Sequence, residues 1–172
     1  MKPITYMKKL LLLTAATLGF LGAPTPTFAQ SGWTTPCSAG ATIDEASQAV
    51  YLTSAQYLTF AAGQVGTVQA RYDVTNTAFP SASNPPWTIM ELDCFDNNPA
   101  VSVTATLFEY DPCEHVLTQL CAITSADMGN QCIPCQFPPN TFDFVNNVYW
   151  VQLNIVRNNA ALVVRANSLR IH

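Results

Sequence analysis

The chain has 172 residues, of which 49% are hydrophobic and 10% are charged, and this composition excludes a disordered polypeptide. Its three lysines all lie within the first nine residues, so the rest of the chain has a net charge of −7, with four arginines against eleven acidic residues. That charge argues against nucleic acid and anionic lipid surfaces as partners, and the absence of lysine after residue 9 excludes Schiff-base chemistry.

The first thirty residues have the layout of a secretory signal peptide, with a lysine-bearing start followed by an apolar run over residues 10–21. The small residues Thr27 and Ala29 then provide a cleavage site. The apolar run is shorter than the roughly 20 residues that a membrane-spanning helix needs. We therefore expect residues 1–29 to be removed and residues 30–172 to form a single domain, secreted or periplasmic, with no membrane span after cleavage.

Hydrophobic and polar residues alternate along several segments after the leader, and a period of two residues is typical of β-strands with one buried face. The alternation is strongest over residues 66–76, 101–110 and 148–157, and weaker over residues 49–60, 87–94, 116–124 and 162–171. No segment after the leader has a helical period of convincing length. The pattern predicts an all-β fold, an antiparallel β-sandwich of about seven to nine strands with Greek-key or jelly-roll connectivity.

Proline and asparagine mark the connections between these segments, because both residues favour turn conformations. Turns of this composition lie at residues 84–86, 96–99, 111–115 and 138–140. The pair Asn158 and Asn159 lies between the last two predicted strands and predicts a tight hairpin there.

Six cysteines follow the leader, and they are Cys37, Cys94, Cys113, Cys121, Cys132 and Cys135. An even number of cysteines in an exported chain predicts disulfide bonds, which stabilise small secreted domains. Six cysteines permit fifteen pairings, and the sequence alone does not select one. As a working hypothesis we pair neighbours along the chain, which joins Cys37 to Cys94, Cys113 to Cys121 and Cys132 to Cys135.

Two other interpretations of the cysteines remain open. The Cys-Ile-Pro-Cys segment at 132–135 has the spacing of a thioredoxin-type redox centre, but that chemistry uses a following helix, which Pro138 and Pro139 prevent. The last four cysteines, together with His115, supply enough ligands for zinc. Their irregular spacing and an oxidising compartment favour disulfides over zinc.

The sequence contains no evident catalytic constellation. A G-x-S-x-G motif is absent, and the two histidines, His115 and His172, lie in a predicted turn and at the last position. Glu91 and Asp93 are two residues apart on a predicted strand and thus roughly 7 Å apart, which suits the carboxylate pair of an inverting glycosidase. Any strand with alternate acids meets this criterion, so a small hydrolase ranks third among the functions considered.

The same acidic segment offers hard oxygen ligands. Glu91, Asp93 and Asp96, followed by Asn97 and Asn98, are a candidate calcium site, since extracellular modules bind this ion through carboxylate and amide oxygens. The segment does not have the spacing of an EF-hand loop. We expect no bound cofactor, and the sequence favours a solvated acidic turn over calcium at this segment.

Trp150 lies on the polar side of its predicted strand, next to Gln152 and Asn154. An aromatic ring beside amide groups enables a sheet to hold a sugar ring, and Trp87 is a second candidate for this role. The alternative is that Trp150 packs under a loop or against the second sheet.

Three functions are consistent with these features. The leading hypothesis is an exported, non-catalytic β-sandwich that acts as a structural or interaction module at the cell surface, in the periplasm or outside the cell, with a protein or glycan as partner. The second is a carbohydrate-binding module that uses the two tryptophans and the neighbouring amides. The third is the small hydrolase.

Overall fold

The computed structural model describes residues 32–76 and 84–172, so the predicted leader lies outside the described residues. Residues 31–172 form one compact unit by themselves. The described strands are β1 (Trp33–Pro36), β2 (Ala41–Thr42), β3 (Tyr51–Thr53), β4 (Leu58–Phe60), β5 (Gly66–Val74), β6 (Ile89–Asp96), β7 (Val101–Asp111), β8 (Val116–Thr124), β9 (Gly129–Gln136), β10 (Val148–Arg157) and β11 (Val164–Ile171). A 3₁₀ turn (Cys37–Ala39) and a short helix, α1 (Glu45–Val50), precede β3. None of the described helical segments has the length and apolar character needed to cross a membrane.

The strands form two antiparallel sheets. Sheet A has the order β3-β4-β11-β6-β9, and β1 pairs with the second half of β11, beyond the end of β4. Sheet B has the order β2-β5-β10-β7-β8. The apolar faces of both sheets contribute to one hydrophobic core, so the predicted antiparallel β-sandwich is confirmed.

Alternation decides which side chains of the long strands enter the core. On β10, Tyr149, Val151, Leu153 and Ile155 are fully buried, whereas the residues between them face outward. Burying one such aliphatic side chain contributes roughly 1.5–3 kcal/mol relative to leaving it in water. A shift of β10 by one residue would bury the outward-facing residues instead, which include two amides, so the register with β5 and β7 is strongly specified.

Several elements differ from the prediction. No strand was predicted at the position of β9, because its cysteine, glutamine and proline residues do not alternate with branched hydrophobic residues. The strand predicted over residues 49–60 is instead the end of α1 followed by β3 and β4. The Asp44 side chain accepts a hydrogen bond from the Ser47 amide (2.5 Å), and this satisfies a free N–H group of the first helical turn.

The predicted hairpin at Asn158 and Asn159 is wrong. Strand β10 belongs to sheet B and β11 to sheet A, so residues 158–163 pass from one sheet to the other. Turn-forming residues specify a reversal of the chain, but they do not specify which strand the next segment pairs with. By contrast, the turn at residues 112–115 does connect a hairpin, in which Asp111 of β7 pairs with Val116 of β8.

In the described chain, one disulfide bond connects the two sheets. Cys121 on β8 is bonded to Cys135 on β9, with a sequence separation of 14 residues. The neighbour pairing is therefore wrong. Residues three apart on a strand face opposite sides, so Cys135 faces β8 while Cys132 is exposed. The redox and zinc interpretations do not fit this bond, because a thioredoxin-type centre would pair Cys135 with Cys132, and a zinc site would need Cys121 and Cys135 as thiolates.

The other four cysteines are free. Cys113 and Cys132 are exposed, whereas Cys37 and Cys94 are buried without the predicted bond between them. Burial raises the pKa of both buried thiols, that of Cys94 to about 12, and neighbouring carboxylates act in the same direction. A thiol that stays protonated is a poor nucleophile, so these two cysteines act as small apolar core residues.

Replacing both Cys121 and Cys135 with alanine is expected to lower the free energy of unfolding by about 3 kcal/mol, because the unfolded chain regains the entropy that the closed loop removes. Urea unfolding under non-reducing conditions measures this difference. Cys113→Ser alters an exposed, unbonded cysteine and is the control, with an expected change below about 0.5 kcal/mol. Similar losses in the two variants would contradict the stabilising role of the bond.

Candidate functional site on the outer face of sheet B

The outer face of sheet B carries a cluster of large side chains at one end. The strand register places Leu117 of β8, Tyr110 of β7 and Val148 of β10 in one row across the sheet. In the next outward-facing row, Phe108 of β7 lies opposite Trp150 of β10. We call these five residues the aromatic platform.

Neighbouring side chains fix the ring of Trp150 in orientation. Phe108 stacks against it, with 5.6 Å between ring centroids and 29° between ring planes. The Cζ atom of Arg71, from β5, lies 4.2 Å from the Trp150 ring centroid in a cation–π contact. Trp150 is therefore half-buried on the outer face of sheet B, where it packs against Phe108 and Arg71 and not against the second sheet.

A cavity of about 400 Å³ lies beside the platform, lined by Arg71, Tyr110, Leu117, Val148 and Trp150. Its volume is within the range of about 300–1,000 Å³ that is typical of small-molecule sites. Leu117 and Val148 are exposed over 56% and 47% of their surface, so apolar side chains meet solvent next to the aromatic rings. Exposed apolar patches of this kind frequently mark binding surfaces.

Beyond the platform, the same face of the sheet is polar. Thr106 of β7 lies opposite Gln152 of β10, and Thr104 lies opposite Asn154. The Gln152 amide donates a hydrogen bond to Oδ1 of Asn154 at 3.4 Å. Trp150, Gln152 and Asn154 thus share the outer face, as the alternation predicts, and their role in ligand binding stays a prediction.

The sequence-based prediction missed Phe108, Tyr110 and Arg71. A signal for the first two was present, because they occupy the polar side of their alternating segment, as Trp150 does in its own. Bringing these residues together requires the register between β5, β10 and β7, and the sequence pattern does not supply that register.

Trp87, the second predicted ligand-binding residue, is fully buried, so its prediction as a surface residue is wrong. Its ring makes edge contacts with Phe142 and Phe144, with 5.2 Å and 6.1 Å between ring centroids. Phe137 and Tyr149 complete this cluster, which we call the aromatic plug, next to the connection from β9 to β10. Trp87 precedes β6, so the alternation predicted for residues 87–94 does not extend to its side chain.

The three carboxylates of the candidate calcium site do not come together. Glu91 and Asp93 face outward from β6, whereas Asp96 is buried on the other side of the strand, an odd number of positions away. Within residues 32–76 and 84–172, no group of three or more potential metal ligands is arranged around one point. The predicted site is thus not formed from these residues.

Both outward-facing carboxylates of β6 have hydrogen-bond partners. Arg170 of β11 donates to Glu91 through Nε (2.8 Å), and Asn167 donates to Oδ1 of Asp93 (3.0 Å). Burial raises the pKa of the Glu91 carboxyl, but the hydrogen bonds and charge of Arg170, with His172, outweigh it, and the pKa lies below its usual value. The general acid of a glycosidase has a raised pKa, so Glu91 is shifted in the opposite direction.

No protein-family model matches this chain, and no curated protein matches its sequence. Its fold is similar to part of several solved structures. One is an exo-β-1,3-galactanase from Phanerochaete chrysosporium with galactose, at 7% identity and a TM-score of 0.41, over 83% of this chain and 29% of the galactanase chain.

Two further solved structures show a similar degree of likeness. The first comes from work on carbohydrate-binding modules of the β-sandwich superfamily, at 10% identity and a TM-score of 0.42, over 82% of this chain and 54% of the other. The second is the structure of infectious bursal disease virus, Gx strain, at 16% identity and a TM-score of 0.35, over 82% of this chain and 31% of the viral chain. The chain thus spans about a third to a half of these three proteins, and the similarities are too low to assign a family or an activity.

Proposed function

We propose that this chain is an exported, non-catalytic β-sandwich module that binds neutral glycans on the outer face of sheet B. The observation that carries the proposal is the aromatic platform beside a cavity of about 400 Å³, followed along the same face by rows of threonine and amide side chains. The leader sequence and the disulfide bond support export, because disulfides persist in oxidising compartments.

A pyranose ring suits this combination of groups. Its C–H groups form an apolar surface that packs against aromatic rings, and its hydroxyls exchange hydrogen bonds with amide and hydroxyl side chains. Alternate residues on a strand are roughly 7 Å apart, so successive sugar units of one oligosaccharide can reach the platform and then Gln152 and Asn154. Ring stacking supplies affinity in this arrangement, and the amides distinguish the positions of the hydroxyls.

Arg71 shares the space that a ligand needs. Its guanidinium lies over Trp150 at 4.2 Å, and its side chain is 43% exposed. Releasing an exposed cation–π contact costs about 0.5–1 kcal/mol, which is less than the roughly 2 kcal/mol that a central aromatic anchor contributes. Arg71 therefore moves aside, or donates to a sugar hydroxyl, when a glycan enters the cavity.

Trp150→Ala is expected to raise the dissociation constant for the preferred glycan by about 30-fold, because a central aromatic anchor contributes about 2 kcal/mol. An array of neutral cello-, xylo-, manno- and galacto-oligosaccharides selects the ligand, and titration calorimetry measures the affinity. Val156→Ala is the control, since Val156 is on the same face of β10 but roughly 20 Å along the strand, and this variant should bind as the unaltered chain does.

Either of two results would contradict glycan binding on the platform. One is no binding across the array, and the other is an affinity that Trp150→Ala leaves unchanged while circular dichroism shows it to be folded. Turnover of a glycan that is lost in Glu91→Ala and Asp93→Ala would replace this proposal with hydrolysis.

A further inference from the structure

The outer face of sheet A carries a second cavity, of about 560 Å³, and this sheet does not contain the platform. The residues that line the cavity include Gln56, Tyr57, Asp93, Arg165, Asn167 and Ser168. We propose that it binds a sugar that carries a carboxylate, a uronate unit of an acidic glycan, with the carboxylate against Arg165. The inference does not depend on the proposed function of the platform, because the two sites use different strands.

Two aromatic rings hold Arg165 in position. Its Cζ atom lies 4.9 Å from the ring centroid of Phe95, the residue directly opposite on β6, and 5.3 Å from the ring centroid of Tyr57. A guanidinium flanked by aromatic rings is restrained before a ligand arrives. Little side-chain entropy is then lost on binding, which favours affinity.

The charge of Arg165 lacks a partner within the part of the chain that the structure describes. No described carboxylate lies within ion-pair distance of it, although the other arginines contact carboxylates or backbone carbonyls. Its Nε–H group is buried and has no hydrogen-bond acceptor among the described residues. The other N–H groups of the guanidinium can donate two parallel, charge-assisted hydrogen bonds to a planar carboxylate, and these bonds are stronger than those to a neutral acceptor.

The other lining residues favour a ligand with hydroxyl groups. Asp93 accepts hydrogen bonds, and Gln56, Asn167 and Ser168 offer amide or hydroxyl groups around the same space. A uronate brings one carboxylate per ring together with several hydroxyls. A glycan with more than one charge per sugar ring would bring further negative charge towards Asp93 and towards the chain after residue 9, whose net charge is −7, and this opposes binding. An acidic peptide lacks the hydroxyl groups that the amide and hydroxyl side chains of the lining would bind.

A galacturonate trisaccharide is the probe, and its fully methyl-esterified form is the uncharged counterpart with the same rings. Titrated into ¹⁵N-labelled protein, the trisaccharide should shift the amide signals of β6 and β11 and the Nε–H signal of Arg165. The ester should bind at least about tenfold more weakly, because it lacks the charge-assisted hydrogen bonds.

Arg165→Gln should weaken binding of the trisaccharide by about tenfold or more, and Arg165→Lys, which keeps the charge without the planar fork, should lose less. The double variant Glu91→Gln/Arg170→Gln is the control. It removes a neighbouring ion pair without changing the net charge and should alter the affinity by less than about twofold. If Arg165→Gln does not fold, the comparison of acid and ester on the unaltered chain decides.

Three outcomes would overturn the inference. The first is equal affinity for the trisaccharide and its ester, and the second is tighter binding of a short peptide with a free C-terminal carboxylate. The third is shifts confined to β7 and β10, which would assign the trisaccharide to the platform and leave the proposed function of sheet B intact.

Discussion

Trp87→Ala is expected to lower the free energy of unfolding by about 3–5 kcal/mol, the usual cost of truncating a fully buried aromatic side chain. This loss is the sum of two contributions, the free energy of burying the indole and the cost of the cavity that its removal leaves. Its neighbours Phe142 and Phe144 are stacked on each other, with 5.5 Å between ring centroids, and both rings also contact Tyr149. An interlocked set of rings cannot close a void of this size without losing its own contacts.

Tyr149 ties the plug to the connection between β9 and β10. Its hydroxyl accepts a hydrogen bond from the Asp143 amide (2.8 Å) and donates one to the Thr141 carbonyl (3.2 Å). Amide hydrogen exchange in residues 137–147 should therefore rise in Trp87→Ala together with the change measured by urea unfolding. Trp150→Ala is the matched control, since that ring lies on the outer face, and its cost should be less than half as large. Equal costs for the two tryptophans would show that the plug is not a main source of stability.

Arg157→Met is expected to destabilise the fold by about 3 kcal/mol or more, because it removes a buried cation that several backbone carbonyls require. Arg157 is 6% exposed, and its Nε and Nη2 atoms donate to the carbonyls of Gln64 (2.8 Å) and Ala61 (2.9 Å). Its Cζ atom also lies 4.6 Å from the ring centroid of Phe60. Burial lowers the pKa of Arg157, yet a guanidinium keeps its charge in proteins.

Methionine fills a similar volume but donates no hydrogen bond, so the loop after β4 would lose its anchor to β10. Arg157→Lys retains the charge but lacks the planar guanidinium that donates to the carbonyls of Gln64 and Ala61 at the same time. We therefore expect an intermediate loss of about 2 kcal/mol. Arg71→Met, at an exposed arginine, is the control and should cost less than about 1 kcal/mol. Urea unfolding of the three variants checks the order, and a loss in Arg157→Met no greater than in Arg71→Met would refute the anchoring role.

The long strands of sheet B were predictable because their alternation is regular. The buried hydrophobic residues of β5, β7 and β10 are the ones that the pattern assigns to the core, and Trp150 faces outward as expected. Strand β9 was not predictable in this way, since its stability comes from pairing with β6 and from the bond of Cys135, not from branched side chains. The pairing of Cys132 with Cys135 was chosen by adjacency along the chain, and β9 contradicts it because residues three apart on a strand face opposite sides.

The candidate sites were predictable only in part. Trp150, Gln152 and Asn154 follow from the pattern of a single strand, but Phe108 and Arg71 reach Trp150 through strands that are distant in sequence. Arg165 lies between Tyr57 and Phe95 for the same reason, and nothing in its own segment indicates those neighbours. The burial of Trp87 was not predictable for a different reason. Trp87 lies outside a strand, so no period-two pattern indicates which way its side chain points.

The edge strands of the two sheets expose unpaired backbone groups, which could pair with a strand of another copy of the chain. In the described chain, β2 and β3 have two and three residues, which is too short to template an added strand. Pro134 removes a backbone donor from β9, and the bond from Cys135 fixes that strand beside β8. The first half of β8 has no such protection, with Val116 and Leu117 exposed, so growth of intermolecular β-structure from the native fold would begin there, at the margin of the aromatic platform.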